Sequence, residues 1–343
     1  MESEIKLGYA GLGNAFWKNH LPSIREIEEL SPSYGFDVLK ECETYGVKRI
    51  ESFRELLETL SRENGALVLT SPDNVHFKQT IEALSLGIPI FAEKPMALIK
   101  EECDEIKRKV NSTNLVYMLG LASVEYSQFR KMKELFQMKF GDSKDLEGLT
   151  IEAGYYHDLF NTFKKLRDRG SDFHLKQNYL LGGGIHALAS VLHITNSKVK
   201  EVGELLYKSH SSWFNENPVV YSGEMNLTNG IKLTLTTDVI PQINILNVNN
   251  IKERSQVYVK ISDKERIIME TRQRDGKSIV FFLGKEHEIE LDMTALTKLY
   301  QEFLSSILEN RTPKKNDVEF AYNCTVPIIE SLDIAKIPRL DLE

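Results

Sequence analysis

Ile5-Lys6-Leu7-Gly8-Tyr9-Ala10-Gly11-Leu12-Gly13-Asn14-Ala15-Phe16 decides the fold. A compact apolar run, Ile5 to Ala10, breaks at two glycines, and a helical pattern follows near Phe16 to Leu30. A glycine turn between a strand and a helix brings the backbone close to a phosphate. The helix N-terminus adds N–H groups and the positive end of its dipole. Phe16 stands where a third glycine would allow close helix–strand packing, so a wider gap is expected there.

Downstream, short apolar runs alternate with helical patterns. Ala66 to Thr70 is a continuous apolar run, as in a strand covered on both faces. Phe77 to Ser85 reads as helix with Gly87 as its C-cap, Ile88 to Ala92 as strand, Lys100 to Val110 as helix and Leu115 to Leu119 as strand. This alternation predicts an α/β domain with a doubly wound parallel sheet. One part departs from it. In Leu21 to Gly46, Ile24 to Leu30 reads as helix and Val38 to Tyr45 as the next helix. Strand two is therefore expected to be missing or a stub. A dinucleotide site places an acidic residue on the ribose about 20 residues past the glycine turn. Asp37 is the acidic candidate, with a helix N-cap as its stronger reading.

The pattern changes near residues 120–124, which sets expected domains of 1–122 and 123–343. A helix, Tyr126 to Met138, leads to a strand, Gly148 to Tyr155. From Val199 to Leu291 strand-like runs dominate, and turn signals at Asn229-Gly230 and Asp275-Gly276 point to antiparallel hairpins. A helix, Thr294 to Glu309, and a short helical tail close the chain.

Of 343 residues, 41% are hydrophobic and 27% charged, enough apolar surface to exclude a disordered chain. A net charge of −7 argues against a general nucleic-acid binder, which needs cationic surface. The three cysteines, Cys42, Cys103 and Cys324, are too few and too widely spaced for a disulfide framework or zinc site. No metal is expected, and no apolar run reaches the roughly 20 residues that span a bilayer. With an acidic start, Met1-Glu2-Ser3-Glu4, a cytoplasmic setting is expected.

Three further motifs carry chemistry. Ser71-Pro72-Asp73-Asn74-Val75-His76 follows the Ala66–Thr70 strand, at the carboxyl end where doubly wound sheets bind ligands; Ser71 and Pro72 also suit a helix start. Glu93-Lys94-Pro95 ends the next strand. A lysine there can hydrogen-bond a substrate hydroxyl, and Glu93 can pair with it or face the nicotinamide side. Gly182-Gly183-Gly184-Ile185-His186 opens a helix, with His186 in its first turn. An imidazole, titrating near neutrality, suits acid/base work on an alcohol. His193 and His210 read as structural. Lys164, Lys165, Arg167 and Arg169 form a basic cluster that could contact an anionic substrate; a solvated helix face beside Asp168 and Asp172 is its stronger reading.

In this order and setting the motifs resemble the Gfo/Idh/MocA family, the glucose–fructose oxidoreductase and inositol dehydrogenase group, over nearly the whole chain. Gly8–Asn14, Thr70–His76 and Ala92–Ala97 resemble its nucleotide-domain signatures, and Gly182–His186 its glycine-rich active-site segment. The ending, Tyr300–Leu304 through Ile329–Ser331, resembles its C-terminal helices. The resemblance implies a Rossmann-type domain followed by an α+β domain with an open, mostly antiparallel sheet. It implies an NAD- or NADP-dependent dehydrogenase acting on a sugar, sugar derivative or cyclitol, forming dimers or tetramers through that sheet. Gly11, Leu12, Gly13, Asn14, Ser71, Pro72, Asn74, His76, Glu93 and Lys94 are then expected at the cofactor, and Lys94 and His186 in catalysis. The Lys94–Pro95 peptide is expected to be cis. Ala189 stands where the family often has Asp, three residues after His186, and an Arg-containing loop often found after strand six is here Gly120–Tyr126. These departures keep open a catalytically decayed relative that binds a sugar or nucleotide.

Overall fold

The computed structural model describes residues 4–141, 143, 146–156, 180–209, 218–238, 257–274, 277–290 and 295–337. Asp275-Gly276, His210 and the cluster Lys164, Lys165, Arg167 and Arg169, with Asp168 and Asp172, lie outside these residues. The chain divides into two compact units, Met1–Ala122 with Met293–Val326, and Ser123–Asp292 with Pro327–Glu343.

The first unit holds a six-stranded parallel sheet: β1 Ile5–Ala10, β2 Leu30–Phe36, β3 Lys48–Arg49, β4 Ala66–Leu69, β5 Ile90–Ala92 and β6 Tyr117–Leu119, in the order β3-β2-β1-β4-β5-β6. That is the Rossmann order. β4, β5 and β6 are buried at every residue, which is why their sequences are unbroken apolar runs. The helices are α1 Leu21–Ile24, α2 Phe53–Glu63, α3 His76–Ser85 and α4 Lys100–Thr113. Gly8 lets α2 pack on β1: a Cβ there would lie 2.7 Å from Leu60 and 2.8 Å from Leu56.

Strand two corrects the sequence expectation. β2 is present, seven residues long and paired with β1 from Ile5↔Leu30 to Ala10↔Phe36. Helix α1 ends at Ile24 rather than reaching Leu30, and Val38 to Tyr45 forms no helix. The strand hides because most of its residues are only half-buried and its sequence is Leu-Ser-Pro-Ser-Tyr-Gly-Phe. Pro32 offers no N–H to the ladder, and the register shifts between Leu7↔Pro32 and Gly8↔Tyr34. β3 pairs only with Tyr34 and Gly35, so the proline half of β2 borders no further strand.

The second unit holds an eight-stranded sheet: β7 Leu149–Tyr156, β8 Val199–Ser209, β9 Pro218–Leu227, β10 Lys232–Asp238, β11 Val257–Asp263, β12 Arg266–Arg274, β13 Lys277–Phe282 and β14 Lys285–Ile289. Its order is β14-β13-β12-β11-β7-β10-β9-β8, antiparallel except for β7 beside β10. The Asn229-Gly230 turn joins β9 to β10, with Gly230 at φ +85°. β14 is an exposed edge strand, Lys-Glu-His-Glu-Ile, tied to its neighbours by Arg274–Glu286 and Lys277–Glu288 ion pairs. Its charges concealed it in the sequence. Helices α5 Ser127–Phe140 and α6 Ile185–Thr195 belong to this unit. Helix α7, Ala295–Leu308, belongs to the first, and α8, Val318–Ile334, carries Pro327 where the division falls.

Candidate active site

The glycine turn sits at the carboxyl end of β1. Gly11 has φ +97°, and a Cβ on it would lie 2.6 Å from the Ser71 nitrogen and 2.7 Å from the Thr70 carbonyl. Only glycine fits there. The Gly11 N–H donates to the Phe36 carbonyl at 2.8 Å, and the Thr70 hydroxyl donates to the Gly11 carbonyl at 2.6 Å. Gly13 and Asn14 are exposed, and a Cβ on Gly13 meets nothing within 4 Å. They open a helical stretch whose first N–H groups have no intrahelical acceptor. This open cradle fits a pyrophosphate.

Phe16 is fully buried, its ring 4.6 Å from Tyr9 and 6.0 Å from Tyr45. The gap it demands takes the form of a π-helical turn, Phe16–His20, ahead of α1. That wider turn directs Phe16, His20, Leu21 and Ile24 inward together.

Asp37 follows β2. Its Oδ2 accepts the Leu12 N–H at 2.8 Å, and its Oδ1 accepts the Leu39 N–H at 2.9 Å. No helix starts there, so the N-cap reading is corrected: Asp37 braces the glycine turn from the place of the ribose-binding acid. Arg49 fixes the following loop by donating to the Asp37 and Leu39 carbonyls, each at 2.9 Å.

Ser71 is half-buried, and Pro72 and Asn74 are exposed. The Ser71 hydroxyl bonds Gln79 Oε1 at 2.5 Å rather than capping a helix. His76 is buried, with Nδ1 3.0 Å from the Pro95 carbonyl and Nε2 2.9 Å from the Ser71 carbonyl. Its ring clips the Ser71-Pro72 turn to the Lys94-Pro95 turn.

The Lys94–Pro95 peptide is cis, as expected. Lys94 is half-buried at the end of β5, and among the described residues its ammonium makes no ion pair. Glu93 does not pair with it. Glu93 Oε1 lies 2.8 Å from His20 Nε2, and Oε2 accepts the Lys94 backbone N–H at 3.2 Å. His20 Nδ1 is 2.5 Å from the Tyr300 hydroxyl. Burial first, then the Tyr9 and Glu93 charges, hold the Tyr300 phenol well above its ordinary range. Gly120 closes against this place: a Cβ there would lie 3.1 Å from Phe91 and 3.6 Å from Glu93 Oε1. Buried Asn316 anchors the neighbouring loop through Leu119 and Leu121. His20, Tyr300 and Asn316 were not singled out in the sequence. The available signal was His20 in an inward set with Phe16, Leu21 and Ile24, a buried polar ring that requires partners.

In the second unit, Leu180–Gly184 forms a π-helical turn that runs into α6. Gly183 lies against the Tyr155 ring, and a Cβ on Gly184 would come within 2.7 Å of Thr237 Oγ1. His186 is half-buried, its ring stacked on Tyr155 at 6.1 Å and 25°. Its carbonyl accepts the Ser123 and Ser190 hydroxyls at 3.0 and 2.8 Å. Ala189 is fully buried in the same helix.

Residues 6–121 match the family model described as "Oxidoreductase family, NAD-binding Rossmann fold", Gfo/Idh/MocA. The match lies wholly within the first unit. A curated relative, the 2,7-anhydro-N-acetylneuraminate hydratase of Mediterraneibacter gnavus, is 25% identical over 214 residues, 57% of this chain and 51% of that one. The chain spans about half or less of the curated relatives it matches, 51%, 45% and 38% of their lengths. Solved structures share the fold over its full extent. The aldose-aldose oxidoreductase of Caulobacter crescentus, complexed with glycerol, superposes with TM-score 0.75 at 14% identity, covering 97% of each chain. The scyllo-inositol dehydrogenase of Lactobacillus casei, with NAD(H) and scyllo-inositol bound, gives 0.70 at 17% identity over 97% of this chain and 98% of that one. Among the described residues no helix is long and apolar enough to cross a membrane, and no group of three His, Cys, Asp or Glu side chains could hold a metal.

Proposed function

We propose that this chain is an NAD-dependent oxidoreductase acting on a hydroxyl carbon of a sugar, sugar derivative or cyclitol. The observation that carries the reading is the Lys94 ammonium, without an ion-pair partner among the described residues, at the carboxyl end of β5 in the sheet that bears the open glycine turn. When bound, the nicotinamide supplies hydride transfer. The Gly13–Asn14 backbone cradles the pyrophosphate. Asp37 takes the ribose hydroxyls and disfavours a 2′-phosphate by like charge, which selects NAD over NADP. Lys94 donates a hydrogen bond to the reacting hydroxyl and stabilises the developing alkoxide. His186, in the second unit, accepts that hydroxyl's proton in oxidation and returns it in reduction. Residues 1–122, with Met293–Val326 in the same compact unit, serve as the nucleotide domain and the rest of 123–343 as the substrate and oligomerisation domain, with dimers or tetramers formed through the eight-stranded sheet in a cytoplasmic setting.

The relatives supply the substrate class by analogy: the named neighbours act on or bind aldoses, inositol and glycerol. The test is a panel of sugars, sugar phosphates, nucleotide sugars and cyclitols, followed by cofactor absorbance. Lys94→Ala and His186→Ala should each lower turnover by about a hundredfold or more. Turnover within a few-fold of the wild type in both variants would reject the assignment.

One observation favours a second reading, a binding protein without turnover. Ala189 is buried three residues after His186, at the position where the family resemblance implies an orienting Asp. NAD binding without turnover of any panel member would select it.

A further inference from the structure

The Glu93 carboxylate ends a chain of side chains drawn from three distant parts of the first unit. An oxygen of a carboxylate accepts, so His20 Nε2–H donates to Glu93 Oε1, and in the neutral imidazole Nδ1 accepts the Tyr300 O–H. Each buried polar atom in this chain therefore has its partner, with one direction along the chain. The surroundings are aromatic. The Tyr300 ring stacks on Phe91 at 4.3 Å, the His20 ring stands edge-on to Phe91 at 5.9 Å and to Tyr300 at 5.8 Å, and Phe303 meets Phe91 at 5.6 Å. Among the described residues, His20 reaches this carboxylate as a donor of fixed orientation.

Glu93 and Lys94 are neighbours in sequence, and a released carboxylate would capture the ammonium beside it. An ion pair in the loop would occupy the N–H donors that the reacting hydroxyl needs. We infer that His20 and Tyr300 are positioning residues: by holding Glu93 turned inward they keep the Lys94 ammonium unpaired. The inference rests on the reading of Lys94 given above, and it concerns how the lysine is presented. The carboxylate oxygens stay occupied by His20 and by the Lys94 backbone N–H.

The experiment has two readouts on the full-length chain. One is the labelling rate of Lys94 by trinitrobenzenesulfonate, measured by peptide mass spectrometry without substrate or cofactor. The other is the separation of kcat from KM with NAD and the substrate the panel identifies. Tyr300→Phe keeps the ring stack and removes one hydroxyl; His20→Leu removes both hydrogen bonds; His20→Gln returns an amide donor to Glu93. Tyr300→Phe and His20→Leu should slow Lys94 labelling by about threefold or more, the effect of one exposed ion pair. Adding Glu93→Ala to His20→Leu should restore the labelling rate, because no carboxylate remains to capture the lysine. On turnover, His20→Leu should lower kcat by about a hundredfold with the KM for NAD nearly unchanged, and His20→Gln should recover about tenfold of that loss. Wild-type labelling rates in both Tyr300→Phe and His20→Leu would overturn the proposal, even where Lys94→Ala abolishes turnover. Full turnover in Lys94→Ala would instead overturn the functional reading, and the labelling pattern would still decide the role of His20. If His20→Leu does not fold, Tyr300→Phe and His20→Gln decide the question by the same two readouts.

Discussion

Two loops at the carboxyl ends of one parallel sheet are held in place by different means. The glycine turn after β1 is shaped by backbone: a left-handed Gly11, carbonyls of Phe36 and Gly11 as acceptors, and one braced N–H at Leu12. The Glu93-Lys94-Pro95 turn after β5 is held by side chains, with His20 and Tyr300 beneath Glu93 and His76 beneath Pro95. A backbone-shaped loop depends on which residues can adopt its conformation. A loop held by side chains depends on protonation and on single hydroxyls far away in sequence.

Alkali should have the largest effect, destabilising the first unit that carries both loops. Burial raises the phenols of Tyr9, Tyr117 and Tyr300, all in the first unit. A phenol raised in the folded state stays protonated while its unfolded counterpart ionises, so its stability contribution is whole below pH 10 and falls as pH climbs beyond it. Each such tyrosine costs up to about 1.4 kcal/mol per pH unit there. Tyrosinate absorbance rising together with loss of the folded signal, beginning above that pH, is the expected result. Ionisation well before unfolding would show that the cage around Tyr300 is open.

Gly11→Ala should break the first loop. The left-handed backbone costs an alanine about 1–2 kcal/mol, and the clash with Ser71 and Thr70 adds about 1–3 kcal/mol. Gly13→Ala should instead leave the melting curve within about 0.5 kcal/mol, since a Cβ there meets nothing, yet weaken NAD binding. Equal effects of the two substitutions on stability would contradict the account of the turn.

Tyr300→Phe should cost about 1–3 kcal/mol in denaturant titration, the penalty for leaving His20 Nδ1 buried without its donor. Gly11→Ala and Tyr300→Phe lie in separate networks, so their effects should add to within about 0.5 kcal/mol. Strong coupling between them would merge the two loops into one unit.

The first loop was largely legible in the sequence and the second only in part. A glycine turn, a Ser-Pro turn and Glu-Lys-Pro are local strings, and apolar runs announced β1, β4, β5 and β6. β2 was invisible because Pro32, two serines and Gly35 leave no apolar run, and half-burial lets the strand tolerate them. β14 was hidden by its charges, which pair across the edge of the second sheet. His20 and Tyr300 escaped for a different reason. The partners of His20 lie 73 and 280 residues away, a separation that no local pattern encodes.

Asp37 gives the smallest expected effect and the finest test of the first loop. Its carboxylate already accepts the Leu12 and Leu39 N–H groups, and it is half-buried beside two exposed residues, Val38 and Leu39. Each carboxylate oxygen has a second lone pair, so the ribose hydroxyls can be received without breaking the brace. A 2′-phosphate near 4 Å would feel like-charge repulsion between the bulk-water value of about 1 kcal/mol and the roughly 4 kcal/mol of a protein surface. Removing the charge in Asp37→Ser should therefore shift the NAD-to-NADP binding ratio toward NADP by about tenfold, the equivalent of ~1.4 kcal/mol. High salt should shrink the wild-type preference in the same direction, because part of the repulsion crosses solvent. Calorimetric titration of both cofactors at two ionic strengths measures both shifts. If the wild type binds NADP as tightly as NAD, Asp37 braces the turn alone and the selectivity belongs to other residues.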